Sequence, residues 1–283
     1  MQTVSISITD FCPNRCPGCF AYKSKNYMSL LDFKKVIKAI PAEIEILILT
    51  GGEPFTHPNL VDMCKYASEF AVKPTVFTSG CVPLDLKKIR NYISRLFVTV
   101  KYPNTTDNEW KGNKNCFKNV KKILRDAQLF KIKTFINWSV DRENLVFLSE
   151  MSEFAKKYDA GLDVLRFLPY DEKAREIALS DDEWEIFCEE ASKYDNVKIR
   201  SPSSKYSYDI CPAGVQRMNI LTNGDVTPCL YWSFYSLGNI FKEDMHSILE
   251  RLKQWRLRIG DIKGCPVVHY LELFEQQKIK VHI

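Results

Sequence analysis

The chain has 283 residues, of which 45% are hydrophobic and 27% are charged, as in an ordinary globular protein with one large domain or two smaller ones. The formal charge of +5 comes from scattered Lys and Arg residues, so no basic block argues for a nucleic-acid partner. No apolar stretch reaches transmembrane length, and the N-terminus lacks a signal-peptide pattern. We therefore expect a cytoplasmic protein without a membrane partner, in which ten cysteines indicate metal or redox chemistry more than disulfides.

Strand and helix patterns alternate from the N-terminus. Residues 44–50 are nearly continuously apolar, as in a strand buried on both faces, whereas residues 29–40 place apolar side chains at helical spacing. Six strand–helix repeats predict a parallel α/β fold that gathers ligands at the C-terminal ends of its strands. The predicted strands are 4–8, 44–50, 74–78, 96–101, 133–140 and 163–168. The predicted helices are 29–40, 59–70, 85–94, 115–130, 143–158 and 180–194, the last with capping-box spacing at Ser180 and Glu183.

Three cysteines follow the first predicted strand: Cys12, Cys16 and Cys19, at C-x3-C-x2-C spacing. Thiolates are soft ligands that suit iron–sulfur clusters and zinc. Three of them on one short loop can hold three corners of a cubane cluster and leave its fourth iron open to an outside ligand. The alternatives are incidental buried thiols, or a zinc knuckle that would need a second ligand pair close by.

With Phe20 after the last cysteine, this loop resembles the cluster loop of the radical S-adenosylmethionine (SAM) superfamily. The resemblance implies a partial (β/α)6 barrel, open on one side, and a [4Fe–4S] cluster whose open iron chelates SAM. It implies cleavage of SAM to methionine and a 5′-deoxyadenosyl radical, driven by an external electron donor of the flavodoxin or ferredoxin type. Phe20 is then a candidate cofactor contact.

A second motif, Gly51-Gly52-Glu53, follows the second predicted strand. Two glycines let a backbone pass close to a ligand, although a plain tight connection would have the same composition. The motif resembles the GGE motif of the same superfamily, whose backbone binds the SAM amino group. We predict a positional rather than catalytic role for the nearby His57.

Further candidate SAM contacts lie on or near the ends of later strands. Ser79 follows the third. Lys101 ends the fourth, where some radical SAM activases pair a lysine with the SAM carboxylate, and a solvated strand-end lysine is the alternative. Asn137 and Ser139 give the fifth strand a polar face suited to a ribose. Arg166, within the sixth, needs an anionic partner, either a SAM or substrate carboxylate or an internal Asp or Glu.

Two more cysteines lie near the predicted active face. Cys81 follows Ser79, and Cys116 lies at a predicted helix start. Radical SAM epimerases use a cysteine thiol to give a hydrogen atom to a substrate radical, so the resemblance makes each a candidate donor. The alternative for each is an uninvolved thiol.

The composition changes after residue 200, and we predict a barrel over 1–200 and a small α+β domain over 201–283. Asn223-Gly224 between two β-prone runs predicts a hairpin flanked by Cys211 and Cys229. With Cys265, this segment resembles the SPASM or twitch domain, which implies at most one auxiliary iron–sulfur cluster here. Its fourth ligand would be His269, another cysteine, solvent or substrate; a zinc site or unrelated thiols are the alternatives.

The resemblance implies a radical SAM oxidoreductase or epimerase that acts on a peptide or on a small, aminosugar-like molecule. Because the chain starts almost at its first strand, we expect a small substrate, or a peptide recognised by a separate protein. The alternative function is an inactive iron–sulfur or zinc-binding regulatory protein on the same fold, which would not need an intact Gly51-Gly52-Glu53 turn.

Overall fold

A computed structural model of the chain describes residues 1–21, 23–168, 172–200, 210–260 and 265, with only the backbone of 172 and 173. Over these residues the strands are β1 (Thr3–Thr9), β2 (Ile46–Gly51), β3 (Thr75–Thr78), β4 (Arg95–Thr99), β5 (Thr134–Val140), β6 (Gly161–Arg166), β7 (Val197–Ile199), β8 (Arg217–Ile220), β9 (Asp225–Thr227) and β10 (Gly238–Asn239). The helices are α1 (Leu30–Ala39), α2 (Leu60–Phe70), α3 (Thr106–Lys111), α4 (Cys116–Leu129), α5 (Leu148–Lys157), α6 (Glu172–Ile177), α7 (Asp181–Ala191) and α8 (Met245–Ile259).

The described strands form one sheet in the order β10-β9-β8-β1-β2-β3-β4-β5-β6-β7. The six predicted strands pair in parallel from β1 to β6, which confirms the partial parallel barrel. Two further parallel strands were not predicted as part of it. Strand β7 pairs with β6, and β8 pairs with β1 from Thr3↔Arg217 to Ile6↔Ile220.

The two faces of the sheet have different chemistry. Leu96 and Val98 of β4 are fully buried within the main hydrophobic core, which also contains apolar residues of α4. On the opposite face, Phe97 stacks between Phe77 and Phe135, with ring centroids 4.5 and 4.9 Å apart. Toward the C-terminal ends of the strands this second face becomes polar, and the sheet therefore presents polar groups where ligands of such folds collect.

The helix predicted over 85–94 is wrong. Only Leu86–Lys88 forms a helical turn, of the 3-10 type. Leu86 and Ile89 are buried as a helix would bury them, but the Ser94 N–H donates to the Pro74 carbonyl (2.9 Å), which draws the chain into β4.

The predicted capping box is confirmed: the Ser180 side chain accepts from the Glu183 N–H, and the Glu183 carboxylate accepts from the Ser180 N–H.

The predicted hairpin is also confirmed, with β8 and β9 antiparallel around a turn at Gly224, whose φ is +88°. Its first strand continues the barrel sheet, because β8 lies beside β1. Residues 201–209 fall outside the described ranges, so the domain division after residue 200 stays a prediction.

No helix of the described part is both long and apolar enough to cross a membrane.

Candidate active site

The Gly51-Gly52-Glu53 turn packs directly against the segment that leads into the cysteine loop. The Gly52 N–H donates to the Thr9 carbonyl (2.6 Å) and the Glu53 N–H to the Phe11 carbonyl (2.8 Å). A Cβ on Gly51 would lie 2.1 Å from the Thr9 carbonyl oxygen, and one on Gly52 would lie 2.3 Å from that of Phe11. Both positions therefore require glycine, because any side chain would push the two segments apart.

The Glu53 side chain ties the end of β2 to the end of β3. Its carboxylate is fully buried. One oxygen accepts from the Phe55 N–H (3.0 Å) and the Thr78 hydroxyl (2.7 Å), while the other accepts from the Ser79 N–H (2.7 Å) and the Ser79 hydroxyl. Because its acceptor sites are occupied within the protein, the carboxylate fixes Ser79 at the edge of the sheet.

His57 lies in the same turn region and is buried. Its Nε2 lies 3.0 Å from the Met28 carbonyl oxygen and its Nδ1 accepts from the Asn59 N–H (3.1 Å), which fits a neutral ring that donates from Nε2. Burial lowers the pKa of this imidazole. The arrangement fits the positional role predicted for it.

Helix α3 contains a buried ion pair and contacts the cysteine loop through the backbone of the same lysine. Lys111 Nζ lies 2.7 Å from a carboxylate oxygen of Asp107, and both side chains are at most 2% exposed. The same ammonium donates to the carbonyls of Ser79 (3.0 Å) and Thr99 (2.6 Å), and the Lys111 carbonyl accepts from the Arg15 N–H (3.0 Å). One lysine therefore links β3, β4 and the cysteine loop.

The cysteine loop offers a donor set that suits an iron–sulfur cluster. Burial raises the pKa of Cys12 to about 11 and that of Cys16 to about 12, and the charge of Cys19 adds to both shifts. Among the described residues, no three Cys, His, Asp or Glu side chains are grouped closely enough to hold a metal ion, so the joint ligation of a cluster by these thiols stays a prediction. The Asn14 N–H donates to the Cys12 sulfur. The Asn14 side chain is 2% exposed, and its Nδ2 has no hydrogen-bond partner among the described residues. A spare buried donor beside three thiols fits a cluster with sulfide and cofactor acceptors.

Lys101 lies in a buried ion pair. Its side chain is 4% exposed and pairs with Asp141, and its Nζ also donates to the Ser139 carbonyl (3.0 Å). The ammonium lies 4.4 Å from the ring centroid of Trp110 and 4.5 Å from that of Phe167. An internal carboxylate, 40 residues further along the chain, is therefore its partner in this structure, and its pairing with the SAM carboxylate stays a prediction.

Arg166 likewise has an internal partner, which was the alternative. Its guanidinium lies 2.5 Å from Asp181 and donates to the Leu179 carbonyl, and a SAM or substrate carboxylate as its partner stays a prediction. Asn137 and Ser139 are half-buried on one face of β5, and Asn137 Nδ2 donates to the Thr99 hydroxyl (3.4 Å). Their proposed contact with a ribose stays a prediction.

Cys81 and Cys116 are joined in a disulfide. Cys81 is 4% exposed and Cys116 is fully buried, and both belong to the main hydrophobic core. Their sulfurs face the Ser79 carbonyl, at 3.8 and 3.7 Å. In the disulfide neither sulfur carries an S–H, and both sulfurs are packed away from solvent. A hydrogen-donor role for either thiol would need the reduced pair and stays a prediction.

The second predicted thiol set, Cys211, Cys229 and Cys265, belongs to or packs against the main hydrophobic core. Burial raises the pKa of Cys229, and the charges of Cys265 and Cys211 add to that shift. The described part of the chain holds no group of three such side chains placed to bind a metal ion, so the shared ligation of an auxiliary cluster stays a prediction.

The Trp232 N–H donates to the Cys229 carbonyl (3.1 Å), and the N–H groups of Tyr231 and Trp232 oppose the rise in the pKa of the Cys229 thiol. Burial raises the pKa of Cys211 as well, and a hydrogen bond from the Ala213 N–H and the charges of Arg256 and Arg217 oppose that rise. These N–H groups and cationic side chains would favour an anionic, thiolate-ligated cluster. His269 lies outside the described residues.

Phe20 connects the two cysteine sites. It directly follows Cys19, and its ring contacts Tyr231, which follows Cys229 by two residues, edge-on with centroids 4.9 Å apart. The predicted contact between Phe20 and a cofactor stays a prediction.

The residues that the sequence reasoning missed lie mainly on α3. Asp107 and Lys111 are four residues apart, with acidic residues in the first turn of the helix, a lysine in its last turn and Gly112 in the left-handed conformation after it. Those are ordinary start and stop signals of a helix. Six residues are too few to show hydrophobic periodicity, so the pattern of apolar residues does not reveal the helix.

Family profiles match two parts of the chain. The Radical SAM superfamily profile matches residues 6–145, and the SPASM profile, described as an iron–sulfur cluster-binding domain, matches residues 211–267. The first match contains both the cysteine loop and the Gly51-Gly52-Glu53 turn. The second contains all three cysteines of the C-terminal set.

Curated relatives include the antilisterial bacteriocin subtilosin biosynthesis protein AlbA of Bacillus subtilis (strain 168), 24% identical over 263 residues, which are 86% of this chain and 58% of AlbA. The AdoMet-dependent heme synthase of Methanosarcina barkeri (strain Fusaro / DSM 804) is 29% identical over 122 residues, 41% of this chain and 34% of the synthase. The chain thus spans between about a third and three fifths of these relatives.

Solved structures share the fold. SuiB of Streptococcus suis bound to its precursor peptide SuiA has a TM-score of 0.74 at 17% identity, covering 96% of this chain and 72% of that one. Native anSMEcpe with bound AdoMet has a TM-score of 0.73 at 14% identity, and the match covers 93% of this chain and 84% of that one. At these identities the likeness shows the fold alone, and the motifs and profiles carry the assignment. The chain belongs to the radical SAM superfamily and combines a radical SAM domain with a SPASM iron–sulfur cluster-binding domain.

Proposed function

We propose that this protein is a radical SAM enzyme that modifies a peptide by removing a hydrogen atom, in an oxidation or an epimerisation. The observation that carries the radical chemistry is the three-thiol loop, packed through backbone hydrogen bonds against the Gly51-Gly52-Glu53 turn. The peptide class is supported by two comparisons. The chain resembles a bacteriocin biosynthesis protein along 86% of its length, and it shares its fold with SuiB bound to a precursor peptide.

Family membership implies a [4Fe–4S] cluster and SAM, and the SPASM domain implies auxiliary iron–sulfur chemistry. When bound, the first cluster supplies the electron that cleaves SAM to methionine and a 5′-deoxyadenosyl radical, which takes a hydrogen atom from the substrate. Cys12, Cys16 and Cys19 would hold that cluster. Glu53 and Lys111 position the strand ends around it through their hydrogen bonds to Ser79 and Thr99.

The peptide class can be tested with the hydrogen atom itself. Reconstituted, dithionite-reduced enzyme is given SAM with either perdeuterated tryptic peptides from bacteria grown in heavy water or the peptide-free small-molecule fraction of the same cells. We expect deuterium in 5′-deoxyadenosine from the peptides. Deuterium that comes only from the small-molecule fraction would contradict the peptide class and favour the small-molecule alternative.

The auxiliary cluster can be tested by counting iron. The match to the SPASM iron–sulfur cluster-binding profile contains Cys211, Cys229 and Cys265, so we expect about eight irons per chain after anaerobic reconstitution, and about four after Cys229→Ala, as for two and one [4Fe–4S] clusters. The same substitution at Cys64, a buried core cysteine of α2, is the matched control and should keep the wild-type count. About four irons in the wild-type chain would rule out a second four-iron cluster.

A further inference from the structure

A small pocket opens beside the cysteine loop. Its volume is about 260 Å³. Pro17 of the loop lines one side, Glu109 and Trp110 of α3 line another, and Tyr102 and Glu143 come from the segments that follow β4 and β5. A group seated in this pocket would lie directly beside the residues that hold the first cluster.

The pocket has aromatic side chains in its walls, and one of them donates a hydrogen bond to a carboxylate that also lines it. Tyr102 is 6% exposed, and its hydroxyl donates to a carboxylate oxygen of Glu143 (3.2 Å). Burial, followed by the nearby Glu143 charge, raises the pKa of Tyr102, so the phenol keeps its proton and remains the donor in this bond. The rings of Tyr102 and Trp110 meet edge-on, with centroids 6.4 Å apart.

The described residues that line the pocket carry negative charge, whereas the whole chain is positively charged. Glu109 and Glu143 line the pocket, and none of its described lining residues is a Lys or Arg. Across the described ranges, neither glutamate lies within ion-pair distance of a cation. The nearby cations have other partners, since Lys101 pairs with Asp141 and Arg142 with another carboxylate. Two solvent-exposed carboxylates, neither in an ion pair among the described residues, therefore line a pocket in a protein whose formal charge is +5.

We propose that this pocket binds a lysine or arginine side chain of the peptide substrate and so positions a neighbouring residue at the cysteine loop; the proposal rests on the peptide-modifying function above. Carboxylates pair with the cationic head, and aromatic walls suit both the cation and its aliphatic stem. Pockets for whole small ligands usually exceed about 300 Å³, so this one suits a single side chain. Trp110 already takes the Lys101 ammonium at 4.4 Å on one side.

The pocket can be probed without knowing the substrate. Tryptophans of the reconstituted full-length protein are replaced by 5-fluorotryptophan, and the Trp110 fluorine resonance is assigned from Trp110→Phe. The protein is titrated with the N-acetyl, N-methylamide derivatives of lysine, arginine and norleucine. We expect the two cationic probes to shift this resonance and the uncharged norleucine probe to leave it unchanged. The double variant Glu109→Gln/Glu143→Gln should bind the lysine probe about tenfold more weakly.

The matched control is Glu150→Gln, which removes an exposed carboxylate from α5 and should keep wild-type affinity for the lysine probe. Equal shifts with lysine and norleucine, no shift with either cation, or unchanged affinity in the double variant would each overturn the proposal. Formation of 5′-deoxyadenosine by the wild-type protein is measured in parallel. If it forms while the lysine probe does not bind, the pocket assignment fails and the radical SAM function stands.

Discussion

Replacing Lys111 with methionine is expected to lower the free energy of unfolding of the apoprotein by about 3–5 kcal/mol, because it leaves a buried carboxylate without its cation. Asp107 is fully buried and would keep only the hydrogen bonds from the N–H groups of Lys101 (2.7 Å) and Tyr102 (3.4 Å). The Ser79 and Thr99 carbonyls would lose a donor as well. Anaerobic urea unfolding followed by far-ultraviolet circular dichroism measures the loss.

Lys122→Met is the matched control for this prediction. Lys122 and Asp126 form a pair with the same four-residue spacing on α4, but the lysine side chain is 56% exposed. An exposed pair of this kind contributes about 0.3–0.5 kcal/mol, so the control should hardly move the transition. Similar losses in both variants would contradict the role assigned to the buried pair.

Gly52→Ala is expected to reduce 5′-deoxyadenosine formation by about 100-fold, the cost of a displacement of roughly 1 Å at a reacting centre. The new Cβ would lie 2.3 Å from the Phe11 carbonyl oxygen and 2.7 Å from that of Asp10. Both contacts are to backbone, so the turn and the cysteine loop must separate. The hydrogen bonds to Thr9 and Phe11 would be lost with that movement. The reconstituted protein is incubated with dithionite and SAM, and the 5′-deoxyadenosine formed is measured by liquid chromatography.

Gly260→Ala is the control that distinguishes the steric overlap at position 52 from backbone strain at a glycine in general. Gly260 has a φ of +70°, and a Cβ added there would have no described atom within 4 Å beyond its chain neighbours, so alanine costs about 1–2 kcal/mol of strain there without any collision. We expect this control to keep its 5′-deoxyadenosine formation. A Gly52→Ala enzyme as active as the Gly260→Ala enzyme would show that the close approach of the two segments is not needed.

The sequence was informative wherever a local pattern determined the structure. The spacing of Cys12, Cys16 and Cys19 and the turn at Gly51-Gly52-Glu53 depend on neighbouring residues, and both lie where the strand order put them. The hairpin at Asn223-Gly224 was predicted by its turn chemistry, and the Ser180 helix by its capping box. The boundaries of the predicted parallel strands lie within about three residues of the observed ones because hydrophobic runs mark them.

Contacts between distant segments could not be predicted in this way. The pairing of β8 with β1 joins residues more than 200 positions apart. A local sequence pattern does not indicate which distant strand pairs with the edge of a sheet. Arg166 was recognised as a charge that needs a partner, and Lys101 as a SAM contact or a solvated lysine, but Asp181 and Asp141 became their partners only through folding. The bond between Cys81 and Cys116 spans 35 residues for the same reason.

The role of the three-thiol loop in SAM cleavage is the point on which the proposed function depends most. The most direct measurement is 5′-deoxyadenosine formation by the anaerobically reconstituted, dithionite-reduced protein with SAM, compared with Cys16→Ala. Cys64→Ala, which removes a buried thiol of α2, serves as the control for loss of a cysteine as such. We expect product from the wild-type and Cys64→Ala proteins and none above background from Cys16→Ala. Wild-type protein that binds iron but forms no more product than Cys16→Ala would contradict this role.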